Sequence, residues 1–400
     1  VKKIACLIIV ILSLAAGTIN AQKNETSIVR SLGVSARPVK TLNAAESFAD
    51  IDFLKVSLAD KEIVALGEVT HGTAEVFRYK DRLVRFLISN LNFRSIGFES
   101  DYAAVAKIDD YINGVADTLI FLPGSALMST NRQMIDWLRR YNGTRPEADR
   151  VHVYGLEARG YSGIITKLLT EEPGLESADR ERLREIAGKP YERIDKADRS
   201  DLLNLAVRLR RTNLSEIRAH YVQMLEQIAK YPAEGRGFRD AYMARNAEWL
   251  KHRAENGKLI IWAHNGHVAK MKLYGYPTLG THLHERHGSR YGVIATDFNH
   301  GKAYVNVWIA KNKPLLGFQA HYYPEVKSPK GYEYYFSKSR YSNFILDLRE
   351  DDHDADLAAF LKSPREMRLI GAWSVPSAKK LSLSDNFDIL VYFNETTSQW

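Results

Sequence analysis

The sequence predicts an α/β fold: a mostly parallel central sheet flanked by helices, with a helical insertion or subdomain. Three observations predict it. Short strand-type runs at Glu62–Leu66, Arg94–Glu99, Val151–Leu156 and Lys258–Ala263 alternate with segments of helical periodicity, the pattern of a parallel sheet covered on both faces. Each run hands over to glycine, carboxylate or imidazole, as Gly67-Glu68, Glu99, Glu157 and His264 do; open α/β sheets place ligands just outside the carboxyl ends of their strands. From about residue 160 to 256 the chain is charged and helical with no convincing strand, which marks the insertion.

The first residues stand apart. Lys2 and Lys3 precede an apolar run, Ile4–Leu14, and small residues lead to Ile19-Asn20-Ala21 before Gln22. This is the shape of a secretory signal peptide, shorter than the roughly 18 apolar residues of a membrane span. Residues 1–21 are expected to be a leader and 22–400 the mature domain, periplasmic or secreted, with no membrane span once the leader is removed. Asn24–Asp60 reads as loops and short helices. After the first strand, Val76, Phe77, Leu83, Val84, Leu87 and Ile88 recur at three- and four-residue spacings and predict a helix over Ala74–Asn90. Helices are expected at about Tyr102–Asn113 and Asn131–Tyr141, around a loop, Gly114–Thr130, that contains Pro123 and Gly124. Inside the insertion, helices fall at Asp201–Arg211, Leu214–Lys230 and Phe238–Glu255, punctuated by Pro173, Pro190 and Pro232. Later strands are expected at Tyr291–Thr296, Ala303–Ile309, Arg368–Gly371 and Asp388–Phe393, with Gly317–Arg340, rich in Tyr and Phe, as loop and short elements.

Composition narrows the function. Cys6 is the only cysteine and falls in the leader, so the mature chain has no disulfide, thiol nucleophile or thiolate metal site. The formal charge of +8 is spread along the chain, with no block of five like charges; that pattern does not make a nucleic-acid groove. The chain lacks a G-x-S-x-G nucleophile elbow, G-x-x-x-x-G-K-[ST] and G-x-G-x-x-G phosphate loops, and H-E-x-x-H. Imidazoles and carboxylates remain: Glu68 with His71, Glu99, Glu157, and His264 with His267. If their strands are parallel, these side chains share one sheet edge. Two chemistries suit them. One is general-base activation of water by an imidazole held by a carboxylate. The other is a divalent metal on His264, His267 and Glu68, His71 or Glu99. Glu157 reads as a site residue or as a helix-cap carboxylate, the cap being preferred.

The blocks Gly67-Glu68-Val69-Thr70-His71-Gly72-Thr73, Gly97-Phe98-Glu99, Phe238–Asn246 and Trp262-Ala263-His264-Asn265-Gly266-His267-Val268 resemble, in order and rough separation, the signature blocks of the erythromycin esterase family. The resemblance covers about Lys40 to Phe393. It implies an α/β core with a helical part and a cleft, and opening of a macrolide lactone by activated water without an acyl-enzyme or a cofactor. It assigns His71 as general base, Glu68 and Glu99 as acidic site residues, and His264 and His267 as the second histidine pair. The family's cation on the helix after His71 falls on Lys80, which supplies charge to a substrate but no bidentate fork. Small-molecule esters are the expected partners. Two other readings stay open: a metal-dependent hydrolase of other esters or peptides, and a non-catalytic exported protein that binds a metal or haem.

Overall fold

The computed structural model describes residues 23–122, 130–158, 160–172, 174–190, 193–308, 315–349, 353–376 and 379–399. The expected leader with Cys6, the loop positions Pro123 and Gly124, and Pro173 lie outside these residues. The strands in chain order are β1 (Arg37–Pro38), β2 (Ile63–Glu68), β3 (Ser95–Asp101), β4 (His152–Glu157), β5 (Leu259–His264), β6 (Tyr291–Trp308), β7 (Leu315–Tyr323), β8 (Asn343–Asp347), β9 (Arg365–Glu366), β10 (Lys380–Leu381) and β11 (Ile389–Thr396). The chain forms two compact units. The first comprises Ser47–Gly67 and Lys80–Gly292; the second comprises Glu68–Tyr79, Val293–Trp400 and the chain up to Glu46.

The first unit holds strands in the order β2-β5-β3-β4, with β3 parallel to both its neighbours. Every residue of β2 and β5 is buried. Strands covered on both faces need continuous apolar runs, and Ile63-Val64-Ala65-Leu66 and Leu259-Ile260-Ile261-Trp262-Ala263 supply them. The expected α/β class with a mostly parallel sheet and flanking helices is the one observed. The helices fall at Ala74–Leu91, Tyr102–Ile112 and Arg132–Gly143, close to their expected bounds. The strand-free stretch folds as Tyr161–Glu171, Ser177–Ala187, Lys196–Leu209, Glu216–Glu234 and Arg236–Arg253. Its helices bury Ile164, Leu183, Leu205 and Leu225 in one apolar cluster with Tyr102 and Ala158. Asp101 ends β3 and caps the next helix: its carboxylate accepts the Ala104 N–H at 2.9 Å and the Gly160 N–H at 2.6 Å.

The second unit holds the order β1-β8-β11-β6, with β7 on β6. Here β11 runs parallel to β6, while the β1–β8, β8–β11 and β6–β7 pairs are antiparallel. The two strands expected at 291–296 and 303–309 are one 18-residue strand. The chain continues through Gly301, whose φ of 123° and close approach to Thr396 leave no room for a side chain. Strand β7 lies where loop was expected. Its large residues Leu316, Phe318 and Tyr322 are exposed, so the usual polar-out alternation is missing from its sequence. Arg368–Gly371 is not a strand: its N–H groups scatter, Arg368 to Glu333 Oε1, Ile370 and Gly371 to the Val69 carbonyl. Among the described residues no helix is long and apolar enough to cross a membrane.

Candidate active site

The ionisable residues found at the strand ends fall into two clusters, one in each unit. In the second unit the cluster is Glu68 with His71. The segment that carries it is pinned on both sides. The Val69 carbonyl accepts the Ile370 and Gly371 N–H groups, Thr70 Oγ1 donates to the Gly371 carbonyl at 2.7 Å, and the Gly72 carbonyl accepts the Tyr304 N–H at 3.0 Å. A Cβ on residue 72 would lie 2.1 Å from the Tyr304 carbonyl oxygen, so only glycine fits there. This clamp sets the reach of His71, whose Nδ1 lies 3.1 Å from Glu68 Oε1. Glu68 is fully buried, while the His71 side chain keeps 19% of its surface. A carboxylate only accepts, so Nδ1 carries the proton and the lone pair sits on Nε2.

In the first unit the cluster centres on Arg239, in the first turn of the helix Arg236–Arg253. Its guanidinium donates to Glu99 Oε1 at 2.8 Å and, through Nε at 3.2 Å and Nη2, to both oxygens of Glu157. Glu99 Oε2 accepts the His264 N–H at 2.9 Å. The next residue, Asp240, accepts from His267 Nδ1 at 2.6 Å and from the Leu279 N–H at 3.0 Å, both on Oδ1. His267 Nε2 then lies 3.3 Å from Glu99 and 3.0 Å from Arg239 Nη1. Burial works to strip the proton from this ring, but the Glu99 charge and the Asp240 hydrogen bond outweigh it and push the pKa up to about 10. His267 is therefore an imidazolium at neutral pH, and Glu99, bonded to both cations, screens its contact with Arg239. Burial likewise opposes the Arg239 charge, and Glu157 and Glu99 hold its pKa well above the usual arginine value.

His264 takes a different part. Its Nδ1 accepts the Gly266 N–H at 3.1 Å and caps the short helix Asn265–Val268, which leaves its ring proton on Nε2. Its ring centroid is 6.2 Å from that of His267. Gly67, at the end of β2, makes room for this turn: a Cβ there would lie 2.2 Å from Asn265 Oδ1.

Glu99, His264 and His267 thus come together in the first unit, and Glu68 with His71 in the second. Lys80, expected to meet substrate, is fully buried with Nζ 4.1 Å from the centre of the Trp262 ring. Arg82 is also buried and pairs with Asp50. Glu157 is not the helix cap it was read as: Gly160 occupies the cap position of the following helix, and Glu157 binds Arg239. Sequence reasoning gave no role to Arg239 or Asp240. A signal existed, because buried carboxylates at the ends of β3 and β4 demand a buried cation, and Arg239-Asp240 opens a helix of the same stretch. Among the described residues no group of three or more His, Cys, Asp or Glu side chains is placed to hold a metal ion.

Residues 88–396 match the sequence profile of the family described as erythromycin esterase. The chain belongs to that family. Its membership makes hydrolysis the class of activity. It is 25% identical over 283 residues to the erythromycin esterase type II of Escherichia coli, across 58% of this chain and 67% of that one. The crystal structure of a succinoglycan biosynthesis protein superposes with a TM-score of 0.80 at 24% identity, covering 94% of this chain and 98% of the other. An erythromycin esterase EreC mutant in its open conformation superposes with a TM-score of 0.69 at 17% identity, covering 90% and 98%. At these identities the two solved structures share the fold alone.

Proposed function

We propose that this erythromycin esterase family member opens the lactone ester of a macrolide with water activated by His71. The observation that supports this reading is the Glu68–His71 pair: a fully buried carboxylate on Nδ1 of a ring that still reaches solvent. In the reaction, Nε2 of His71 takes a proton as the water oxygen bonds to the ester carbonyl carbon. Glu68 holds the ring and balances the imidazolium. The tetrahedral intermediate collapses by breaking the C–O bond, and the leaving alkoxide takes the proton back from His71. The product is the hydroxy acid, and no acyl-enzyme forms.

The other cluster is assigned by its charge state. His267, already protonated, is no base: its Nδ1 is given to Asp240 and its Nε2 faces Glu99, so its cluster serves as fixed, paired charge within the first unit. Glu99 anchors that cluster, accepting from Arg239 and from the His264 backbone N–H and lying 3.3 Å from His267 Nε2.

The test is hydrolysis of 14-, 15- and 16-membered macrolides by the purified protein, with and without chelator, read by mass spectrometry as the gain of one water. Turnover that survives chelation and falls about 10²–10⁴-fold in His71→Ala is the expected result. A His71→Ala variant within twofold of wild type removes His71 from the role. Turnover lost on chelation replaces this mechanism with a metal-dependent one.

A further inference from the structure

Large apolar side chains are exposed together on one part of the second unit. Phe318 is 54% exposed, Leu316 58%, Trp373 49% and Val375 52%. The ribbon of β6 and β7 explains the arrangement. Along β6, Ala303, Val305 and Val307 are buried, while Tyr304, Asn306 and Trp308 alternate with them and stay partly open. The register sets Tyr304 opposite Ala320 and Asn306 opposite Phe318, and opposed residues share a face. The Tyr304 and Phe318 rings stack at 6.0 Å and 25°, and Trp308 meets Trp373 at 6.5 Å. Trp373 is brought there by backbone pairing: the Asn306 N–H donates to the Ala372 carbonyl at 2.9 Å, and the Asn306 carbonyl accepts the Ser374 N–H at 3.2 Å.

The strand and the segment that carry this face are hydrogen-bonded to the His71 segment. The Tyr304 N–H donates to the carbonyl of Gly72, the residue after His71, and Gly371, two residues before Trp373, is bonded to Val69 and Thr70. A face of exposed rings is an interaction surface by the usual measure. Its attachment to the candidate base on two sides selects the occupant. We infer that the Tyr304–Phe318 and Trp308–Trp373 rings form a platform that carries the broad, C–H-rich ring body of the substrate beside His71. The inference rests on the hydrolase reading for the identity of the ligand. The platform would favour wide esters over small ones, because only a wide body covers several rings at once.

The test uses the full chain with Phe318→Ser, Trp373→Ser and both together, and Val207→Ser on an exposed helical site of the first unit as control. The ratio of kcat/KM for erythromycin to that for p-nitrophenyl acetate should fall about tenfold in the double variant, the size expected from losing two aromatic contacts. The fall should appear in the erythromycin KM rather than in kcat, and Val207→Ser should leave the ratio as it is. An unchanged ratio in a wild type that turns over both esters overturns the platform. Should wild type hydrolyse neither ester, the hydrolase reading falls, and calorimetric binding of erythromycin decides the platform separately. Binding that weakens about tenfold in the double variant supports it; no binding to wild type, or equal binding to both, overturns it. Sedimentation that shows a wild-type dimer and a double-variant monomer also overturns it, by making the face an interface between copies.

Discussion

The two ionisable clusters are built on opposite plans. Glu68 and His71 are a single carboxylate and a single imidazole, one fully buried and the other partly open, on a segment clamped by backbone hydrogen bonds. Arg239, Glu99, Glu157, His267 and Asp240 are a closed net in which each charge is met by an opposite one and no side chain exceeds 15% exposure. A pair with one open side suits a proton that must come and go. A saturated net suits fixed charge, since moving a proton out of it would leave buried ions unpaired. The difference predicts that the first cluster is felt in rates and the second in stability as well.

The largest expected effect tests the rate side. His71→Ala lowers kcat by about 10²–10⁴-fold while unfolding free energy falls by only about 1–3 kcal/mol, the cost of the hydrogen bond that buried Glu68 loses. A large loss of stability in this variant would erase the contrast. Arg239→Met tests the other side: it strands Glu99 and Glu157 without their shared cation and costs about 3–5 kcal/mol of unfolding free energy, read from denaturant titration. A loss under 1 kcal/mol, about what an exposed pair contributes, would show that the net is not a buried ionic unit.

Smaller effects sharpen the comparison. Asp240→Asn removes the charge behind His267 Nδ1 and costs about 1–3 kcal/mol. The pKa of His267, raised from its ordinary 6.5 to about 10, also carries a sign. A group bound more tightly to its proton in the folded state stabilises fully below pH 6.5 and loses that contribution as pH rises through about 10. Unfolding free energy should therefore decline across that window in wild type and decline less in Asp240→Asn; equal slopes would reject the imidazolium. Asp101→Ala removes a helix cap outside both clusters. It should cost about 1 kcal/mol and leave KM unchanged, which gauges how much of any kinetic effect is plain loss of stability.

Much of this was legible from the chain. Ile63–Leu66 and Leu259–Ala263 announce buried strands because a doubly covered strand admits only apolar residues. Glu68-Val69-Thr70-His71 announces a carboxylate and an imidazole able to converge, because both sit on the turn that leaves one strand. Strand β7 was hidden because its exposed face carries Phe318 and Tyr322 where the period-2 signal needs polar residues. The Arg239–Glu157 pair was hidden because 82 residues separate its members, and an arginine on a charged helix looks like any solvated cation.

The sequence by itself determined the α/β class and the strand ends that carry carboxylate and imidazole, since these rest on side-chain periodicity and local order; which of Glu68 and Glu99 meets His71 it left open, and the structure places Glu68 there. Only the tertiary structure decided that Glu157 is a salt-bridge partner, that His267 holds its proton, that Lys80 is buried on Trp262, and that the rings of β6, β7 and Trp373 gather on one face. Each of those depends on which distant groups share a low-dielectric neighbourhood or a sheet register, and neither is written in local spacing.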